Sequence, residues 1–201
     1  PVLTVWWLLA QVAGATVFES LPGGGDSPCV GLRGDGKRAL VTGITGMLGS
    51  HVAEALLAQG FSVYGVTRAR SNMRNIAPFS ANITVLIAEL TDPFRTLQIV
   101  EDVKPHYIFH FAAQAFNSMS YDEPAYTLNT NVGTTLNILE AVRRMAPSER
   151  ARVLIAGSST VYGSSTEQWD GPIPEWAPMQ PVSPYGVSKA ATELLAQQYA
   201  R

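Results

Sequence analysis

The sequence predicts an α/β fold in which a doubly wound parallel sheet carries helices on both faces. Three observations carry this expectation. Short apolar runs alternate with stretches of helical periodicity from residue 38 to residue 201. The runs are near-continuously apolar, as in "VLIA", which suits strands covered on both sides. The stretch "ALVTGITGMLGSHVAEALLAQG", residues 39–60, sets Gly43, Gly46 and Gly49 between one such run and an amphipathic pattern.

The elements follow in order. "RALVTG" reads as the first strand. "GSHVAEALLAQG" reads as a helix, with Val52 and Leu56, then Ala53 and Leu57, at i, i+4 and Gly60 as its stop. "FSVYGVT" is a second strand and "NITVLIAEL" a third. "DPFRTLQIVEDV" is a helix with Asp92 as N-cap and Pro93 at its first position. "HYIFHFAA" is a fourth strand, "PAYTLNTNVGTTLNILEAVRRM" a long helix and "ARVLIAGSS" a fifth strand. "SPYGVSKAATELLAQQYAR" is the last helix. The first strand is expected at the centre, between the second and fourth. Near-complete burial is expected for Val41, Ile108, Phe109, Leu154 and Ile155.

Composition narrows the class. The 201 residues suffice for one domain with a sizeable core, and 46% hydrophobic with 15% charged residues suits a packed globular chain. A net charge of −2 gives no electrostatic case for nucleic acid or an anionic membrane. Cys29 is the only cysteine, so the sequence offers no internal disulfide and no Cys cluster for a metal. A reducing cytoplasm is the expected setting. Residues 1–36 stand apart from the domain expected at 37–201. "VLTVWWLLAQVAGATVF" is apolar for about 17 residues, at the lower edge of a membrane span, and a Gly/Pro-rich linker follows it. No basic residue precedes the run, so a packed or upstream peptide is preferred over a membrane or secretory segment, and over translated non-coding sequence. A start at Pro1 and an end inside a helical pattern suggest a piece of a longer protein.

The glycines have a chemical reading. Gly43 ends the first strand and allows a tight turn, Gly46 lets backbone approach a phosphate, and Gly49 lets the helix pack on the sheet. The helix N-terminus then offers free N–H groups and partial positive charge to a pyrophosphate. Thr45, Met47 and Leu48, set among these glycines, complete the set expected to line a dinucleotide. An NAD-preferring site places Asp or Glu at the end of the second strand. This sequence has Thr67, then Arg68 and Arg70, and arginine can pair with a 2′-phosphate. NADP is therefore expected, with NAD as the alternative. Glu89 and Leu90, at the end of the third strand, are expected beside the adenine, with core packing an equal reading for Leu90.

"SPYGVSK" places Tyr185 and Lys189 at i, i+4, on one helix face. A phenol is a poor base at neutral pH, and a neighbouring ammonium favours the phenolate. Tyr185 is thus a candidate to take a hydroxyl proton while hydride leaves the same carbon. Ser158 lies 27 residues earlier, at the end of the fifth strand, on the edge where such sheets bind ligands.

"TGITGMLG", "HFAAQ", "NTNVGTTLNILEA", "GSSTVYG" and "SPYGVSK", in this order and at these spacings, resemble the extended short-chain dehydrogenase/reductases of the nucleotide-sugar epimerase/dehydratase family. The resemblance covers residues 38–201. It implies a Rossmann domain holding NAD(P), followed in family members by a C-terminal substrate lobe that this chain lacks. It implies Ser158 as partner of the substrate hydroxyl, with Ser159 and Thr160 beside the substrate. It implies Tyr185 as base and Lys189 as partner of the ribose and the phenolate. Ala112, Ala113 and Gln114 would line the dinucleotide, and Asn131 would support the fourth strand. The implied substrate is a nucleotide-diphosphate sugar oxidised first at C4, and the implied assembly a homodimer through the helices of "NVGTTLNILEA" and Tyr185.

"VTGITG" and "AAQ" resemble the GDP-mannose 4,6-dehydratase and 4-keto-6-deoxymannose reductase branch. Dehydratases of that branch carry Glu two residues past the Ser/Thr position, and this chain has Thr160 there, which resembles the 4-epimerases. The expectation is an epimerase or 4-keto reductase. The alternatives are a dehydratase using another acid, with Asp122 and Glu123 the nearest, or a dinucleotide-binding piece without turnover. His51 is expected on a helix surface, and His106 and His110 in structural roles. Trp169 and Trp176 sit in a loop that either borders the substrate or packs plainly. No metal site is expected.

Overall fold

The computed structural model describes residues 33–201. The expectation of an apolar segment and linker over 1–36 therefore falls almost wholly outside the described residues. The elements are β1 (Arg38–Thr42), α1 (Met47–Ala58), β2 (Ser62–Thr67), β3 (Ile83–Ile87), α2 (Pro93–Val103), β4 (Tyr107–His110), α3 (Met119–Asp122), α4 (Pro124–Arg144), β5 (Arg152–Ile155) and α5 (Pro184–Tyr199). Short 3-10 turns at Ala77–Asn82, Pro147–Glu149, Ser159–Val161 and Gly163–Gln168 lie between them.

The sheet has the order β3-β2-β1-β4-β5, and all four pairings are parallel. β1 is central, between β2 and β4, as expected. Side chains alternate faces along a strand, and the core divides accordingly. Ala39, Val41, Val63 and Phe109 pack on one face with Val52, Ala53 and Leu56 of α1. Leu40, Val66 and Ile108 pack on the other with Ile99 and Val100 of α2 and Ile138 and Val142 of α4. α5 lies mainly against α4. This is the doubly wound, Rossmann-type arrangement.

Local signals act as read. The Asp92 carboxylate accepts hydrogen bonds from the N–H groups of Phe94 (2.9 Å) and Arg95 (3.2 Å), with Pro93 opening α2. Ser183 Oγ accepts from Gly186 N–H at 3.0 Å and starts α5. Gly60, at φ +80°, follows α1.

Two expectations are corrected. Val41, Ile108 and Phe109 are fully buried, but Leu154 and Ile155 are only half-buried. Both "VLIA" runs lie in β3 and β5, the two outer strands, where Ile87 is 60% exposed. Apolar composition alone did not separate an outer strand from a central one. Leu154 faces the α1 side, where α1 packs on β1 and β2 and leaves β5 less covered. The third strand also stops at Ile87, so Glu89 and Leu90 lie in the turn beyond it.

Glu140 joins the two helices of the α4/α5 layer. Its carboxylate accepts from Arg143 Nε (2.9 Å) and Nη2 (2.8 Å), and from the Tyr199 hydroxyl of α5. The Arg143 hydrogen bond first, and Tyr199 second, hold its pKa at about 2 against an ordinary 4.5. A depressed carboxyl stabilises the fold above its unfolded value, and that contribution is lost as pH falls from about 4.5 through 2. Thermal melts across this window are expected to show Glu140→Gln less acid-sensitive than the unmutated chain. Parallel curves would remove Glu140 as a source of acid sensitivity.

Candidate functional site

A cavity of about 310 Å³ opens over the C-terminal ends of β1, β2, β3 and β4. This is the edge at which doubly wound sheets bind ligands. Of the residues expected around a dinucleotide, Gly43, Thr45, Gly46, Arg68, Glu89, Leu90, Ala112 and Ala113 line it.

The turn between β1 and α1 forms its floor. Gly43 has φ +65°, and a Cβ there would come within 2.9 Å of Ala112 N. Gly46 N–H closes the turn onto Gly43 O at 3.0 Å, and Ser50 N–H makes the first helical bond, to Gly46 O, also at 3.0 Å. The amides of Met47, Leu48 and Gly49 precede that bond and belong to the open first turn. A Cβ on Gly49 would sit 2.4 Å from Gly43 O, so only glycine lets the helix approach this closely. The Met47 side chain is 74% exposed, and Leu48 packs toward the α1-side core. Neither side chain lines the cavity, so what these two offer a ligand is backbone N–H.

Arg68 enters from β2 and its Nη1 donates to the Tyr126 hydroxyl of α4 at 3.4 Å. Arg70 is exposed and off the cavity. Ser71, Tyr126 and Thr134 line it as well, and sequence reading missed them. Tyr126 carries no local signal, because it meets Arg68 across 58 residues of sequence.

Gln114 and Asn131 do not line the cavity; they brace it from below. Asn131 Oδ1 accepts from Gln114 N–H at 2.7 Å, and its Nδ2 donates to Gln114 O (3.1 Å) and Ser188 Oγ (2.9 Å). Ser188 Oγ donates to the carbonyl of Tyr185 at 2.7 Å. Asn131 on α4 thereby ties the loop after β4 to the first turn of α5. The Gln114 side chain donates to Thr127 Oγ1 at 2.9 Å and turns into the interior.

Ser158, Tyr185 and Lys189 gather beyond β5, outside the cavity lining. Lys189 is only 6% exposed. Its Nζ donates to Ala156 O at 2.9 Å and lies 6.0 Å from the Tyr185 ring centroid. Burial lowers its pKa from the ordinary lysine value. The Tyr185 hydroxyl has no hydrogen-bond partner among the described residues, which leaves it open to a ligand. Ser158 Oγ lies 2.8 Å from Thr160 Oγ1 and accepts from Thr160 N–H at 3.3 Å. Ser159 is exposed.

The acids considered for a substrate role are both exposed. Asp122 ends α3, and Glu123 holds the N-cap position of α4 without a side-chain cap. His51 is exposed on α1. His106 Nδ1 accepts from Arg38 N–H at 3.0 Å, a structural role. Trp169 and Trp176 meet edge to face with ring centroids 4.9 Å apart, and Trp176 is 75% exposed. Among the described residues, no cluster of His, Cys, Asp or Glu could hold a metal ion.

Comparison with known proteins agrees with this fold. A family model described as GDP-mannose 4,6 dehydratase matches residues 40–201. The GDP-mannose 4,6-dehydratase of Vibrio cholerae is 33% identical over 162 residues, covering 76% of this chain and 43% of that protein. GDP-mannose 4,6 dehydratase 2 of Caenorhabditis elegans is 34% identical over 165 residues, covering 76% of this chain and 42% of that protein. The chain thus spans less than half the length of these relatives. Among solved structures, the UDP-glucose 4-epimerase of Thermotoga maritima with UDP-glucose superposes with a TM-score of 0.72 at 30% identity, over 82% of this chain and 51% of that one. The UDP-glucose 4-epimerase of Brucella ovis in complex with NAD gives 0.69 at 27% identity, over 82% and 48%.

Proposed function

The chain belongs to the extended short-chain dehydrogenase/reductases, in the family that the GDP-mannose 4,6 dehydratase model describes, and from that premise we propose that the protein carrying it moves hydride at C4 of a nucleotide-diphosphate sugar. It acts as an epimerase or a 4-keto reductase. NAD(P) is the hydride carrier when bound. Gly43, Gly46 and the first amides of α1 would hold its pyrophosphate, with Ala112 and Ala113 on the same cavity wall. Tyr185 takes or returns the proton of the C4 hydroxyl. Ser158 would hydrogen-bond that hydroxyl, and Lys189, whose Nζ lies 6.0 Å from the Tyr185 ring centroid, would serve the ribose.

One observation carries the choice of reaction: Thr160 stands where elimination of water needs a carboxylate, and its hydroxyl is paired with Ser158 at 2.8 Å. A hydroxyl cannot readily do the work of a positioned acid or base. The test offers GDP-mannose and UDP-glucose to the protein and follows product by mass and NMR. An epimer of unchanged mass is expected, and Thr160→Glu should add a product lighter by one water. Rapid formation of that lighter product by the unmutated protein would overturn the reading. The second reading, a dehydratase drawing on another acid, is favoured by the names of the sequence relatives. A binding module without turnover remains the third, since the chain spans under half of its relatives.

NADP is the preferred dinucleotide in this reading, supported by Arg68 on the cavity wall and by the lack of a carboxylate at Thr67. The likeness to structures complexed with NAD favours the alternative. A charge-assisted hydrogen bond contributes about 1.5–3 kcal/mol, so Arg68→Ala should weaken NADP binding by at least about tenfold and leave NAD unchanged. Titration calorimetry with both dinucleotides checks this; equal effects on the two would remove the 2′-phosphate role. A homodimer through α4 and α5 belongs to the same reading, and Leu136, Val187 and Leu194 are exposed on these helices. So does a cytoplasmic setting; no helix among the described residues is long and apolar enough to cross a membrane.

A further inference from the structure

His110 is 3% exposed at the end of β4, between β1 and α4. The proton inventory around it favours one tautomer. Thr42 Oγ1 accepts two backbone bonds, from Phe111 N–H and Ala112 N–H, each at 3.1 Å, and the Phe111 N–H is shared with Thr42 O at 3.3 Å. A hydroxyl has two acceptor lone pairs and one proton. Both lone pairs are used, so the proton of Thr42 is left for its remaining neighbour, His110 Nδ1 at 2.8 Å. His110 Nδ1 is therefore the acceptor, and a neutral ring carries its proton on Nε2. That nitrogen faces Thr134 Oγ1 at 3.4 Å, and Thr134 passes its own proton to Thr130 O at 2.7 Å. Every donor in the chain meets an acceptor.

We propose that His110 is a positioning residue for the dinucleotide: its Nε2–H form fixes the Thr42 hydroxyl, and through it the Phe111–Ala112 wall of the cavity. The wall depends on this because both amides converge on one oxygen. The opposite tautomer would aim a proton at Thr42, leave the Phe111 amide to Thr42 O alone and strand the Thr42 hydroxyl proton without an acceptor. The charged ring would do the same, and would also face the buried ammonium of Lys189. Burial first, and the Lys189 charge second, push the His110 pKa down to about 3, which keeps the ring neutral at working pH. The proposal rests on the reading of the cavity as a dinucleotide site.

The test uses the full chain and direct binding of NADP and NAD, with no sugar present. His110→Asn places an amide oxygen near the Nδ1 position and keeps an acceptor for Thr42. His110→Gln reaches the Nε2 position instead and leaves Thr42 without one. His110→Phe removes both contacts at similar volume. The expected result is binding within about threefold of the unmutated chain for Asn and at least tenfold weaker for Gln and Phe. Melting temperatures should be closer together than these affinities. Thr42→Ser should bind normally and Thr42→Val weakly. Equal binding by all variants would overturn the proposal. Nitrogen-15 NMR of the unmutated chain is the second measurement: Nε2–H is expected, and Nδ1–H would overturn the assignment even where a variant fails to fold. If the unmutated chain binds neither dinucleotide, the cavity reading itself fails and takes this role with it, an outcome distinct from equal binding by the variants.

Discussion

Tyr185→Phe is expected to abolish hydride transfer at C4 while leaving dinucleotide binding intact. The change removes one hydroxyl, and that hydroxyl has no hydrogen-bond partner among the described residues, so no internal bond is lost with it. The ring stays, and so does its contact with Lys189 at 6.0 Å. Ser188 Oγ still donates to the backbone carbonyl of residue 185, because that bond does not involve the residue 185 side chain. What disappears is the group placed to take the substrate proton. Losing a positioned general base costs about 10²–10⁴ in rate. Steady-state turnover should therefore collapse, with the dinucleotide affinity and melting temperature unchanged. Retained turnover would show that another group takes the proton. Ser158 is the first to examine, since its Oγ is already hydrogen-bonded to a second hydroxyl.

Gly49→Ala is expected to damage the fold and the cavity together. The added Cβ would lie 2.4 Å from Gly43 O and 2.9 Å from both Gly43 C and Ile44 Cα. All three are backbone atoms, and none can swing aside as a flexible side chain would. Relief requires α1 to back away from the turn that closes on Gly43. Overpacking of this kind costs about 1–3 kcal/mol and sometimes more, a fall of about 3–10 °C in melting temperature for a chain of this size. The same displacement moves the first amides of α1, so dinucleotide affinity should drop at least tenfold. Gly133→Ala is the matched control. It lies inside α4 with nothing within 4 Å of a new Cβ, and should stabilise by about 0.5–1 kcal/mol through helix propensity. A Gly49→Ala chain that melts and binds like the unmutated one would show that the turn has room to relax.

The sequence by itself determined what depends on neighbours along the chain. Strand and helix order followed from periodicity, because an apolar stripe must recur at the spacing of the element that buries it. The Gly43–Gly49 turn, the Asp92 cap and the Tyr185–Lys189 pair were legible because each spans a few residues on one element. The parallel sheet followed from alternation, since parallel neighbours need a crossover between them. Tertiary structure decided what depends on partners far apart. Leu154 and Ile155 lost their expected burial because β5 is an outer strand, a fact of sheet order that "VLIA" cannot encode. Gln114 turned inward because Thr127 and Asn131 arrive from α4 to hydrogen-bond it. Tyr126 lines the cavity and meets Arg68, 58 residues away. The hydrogen-bond partners of His110 came from Thr42, 68 residues away, and Thr134, 24 residues away. Hydrogen-bond capacity is counted in space, and a linear pattern contains no such count.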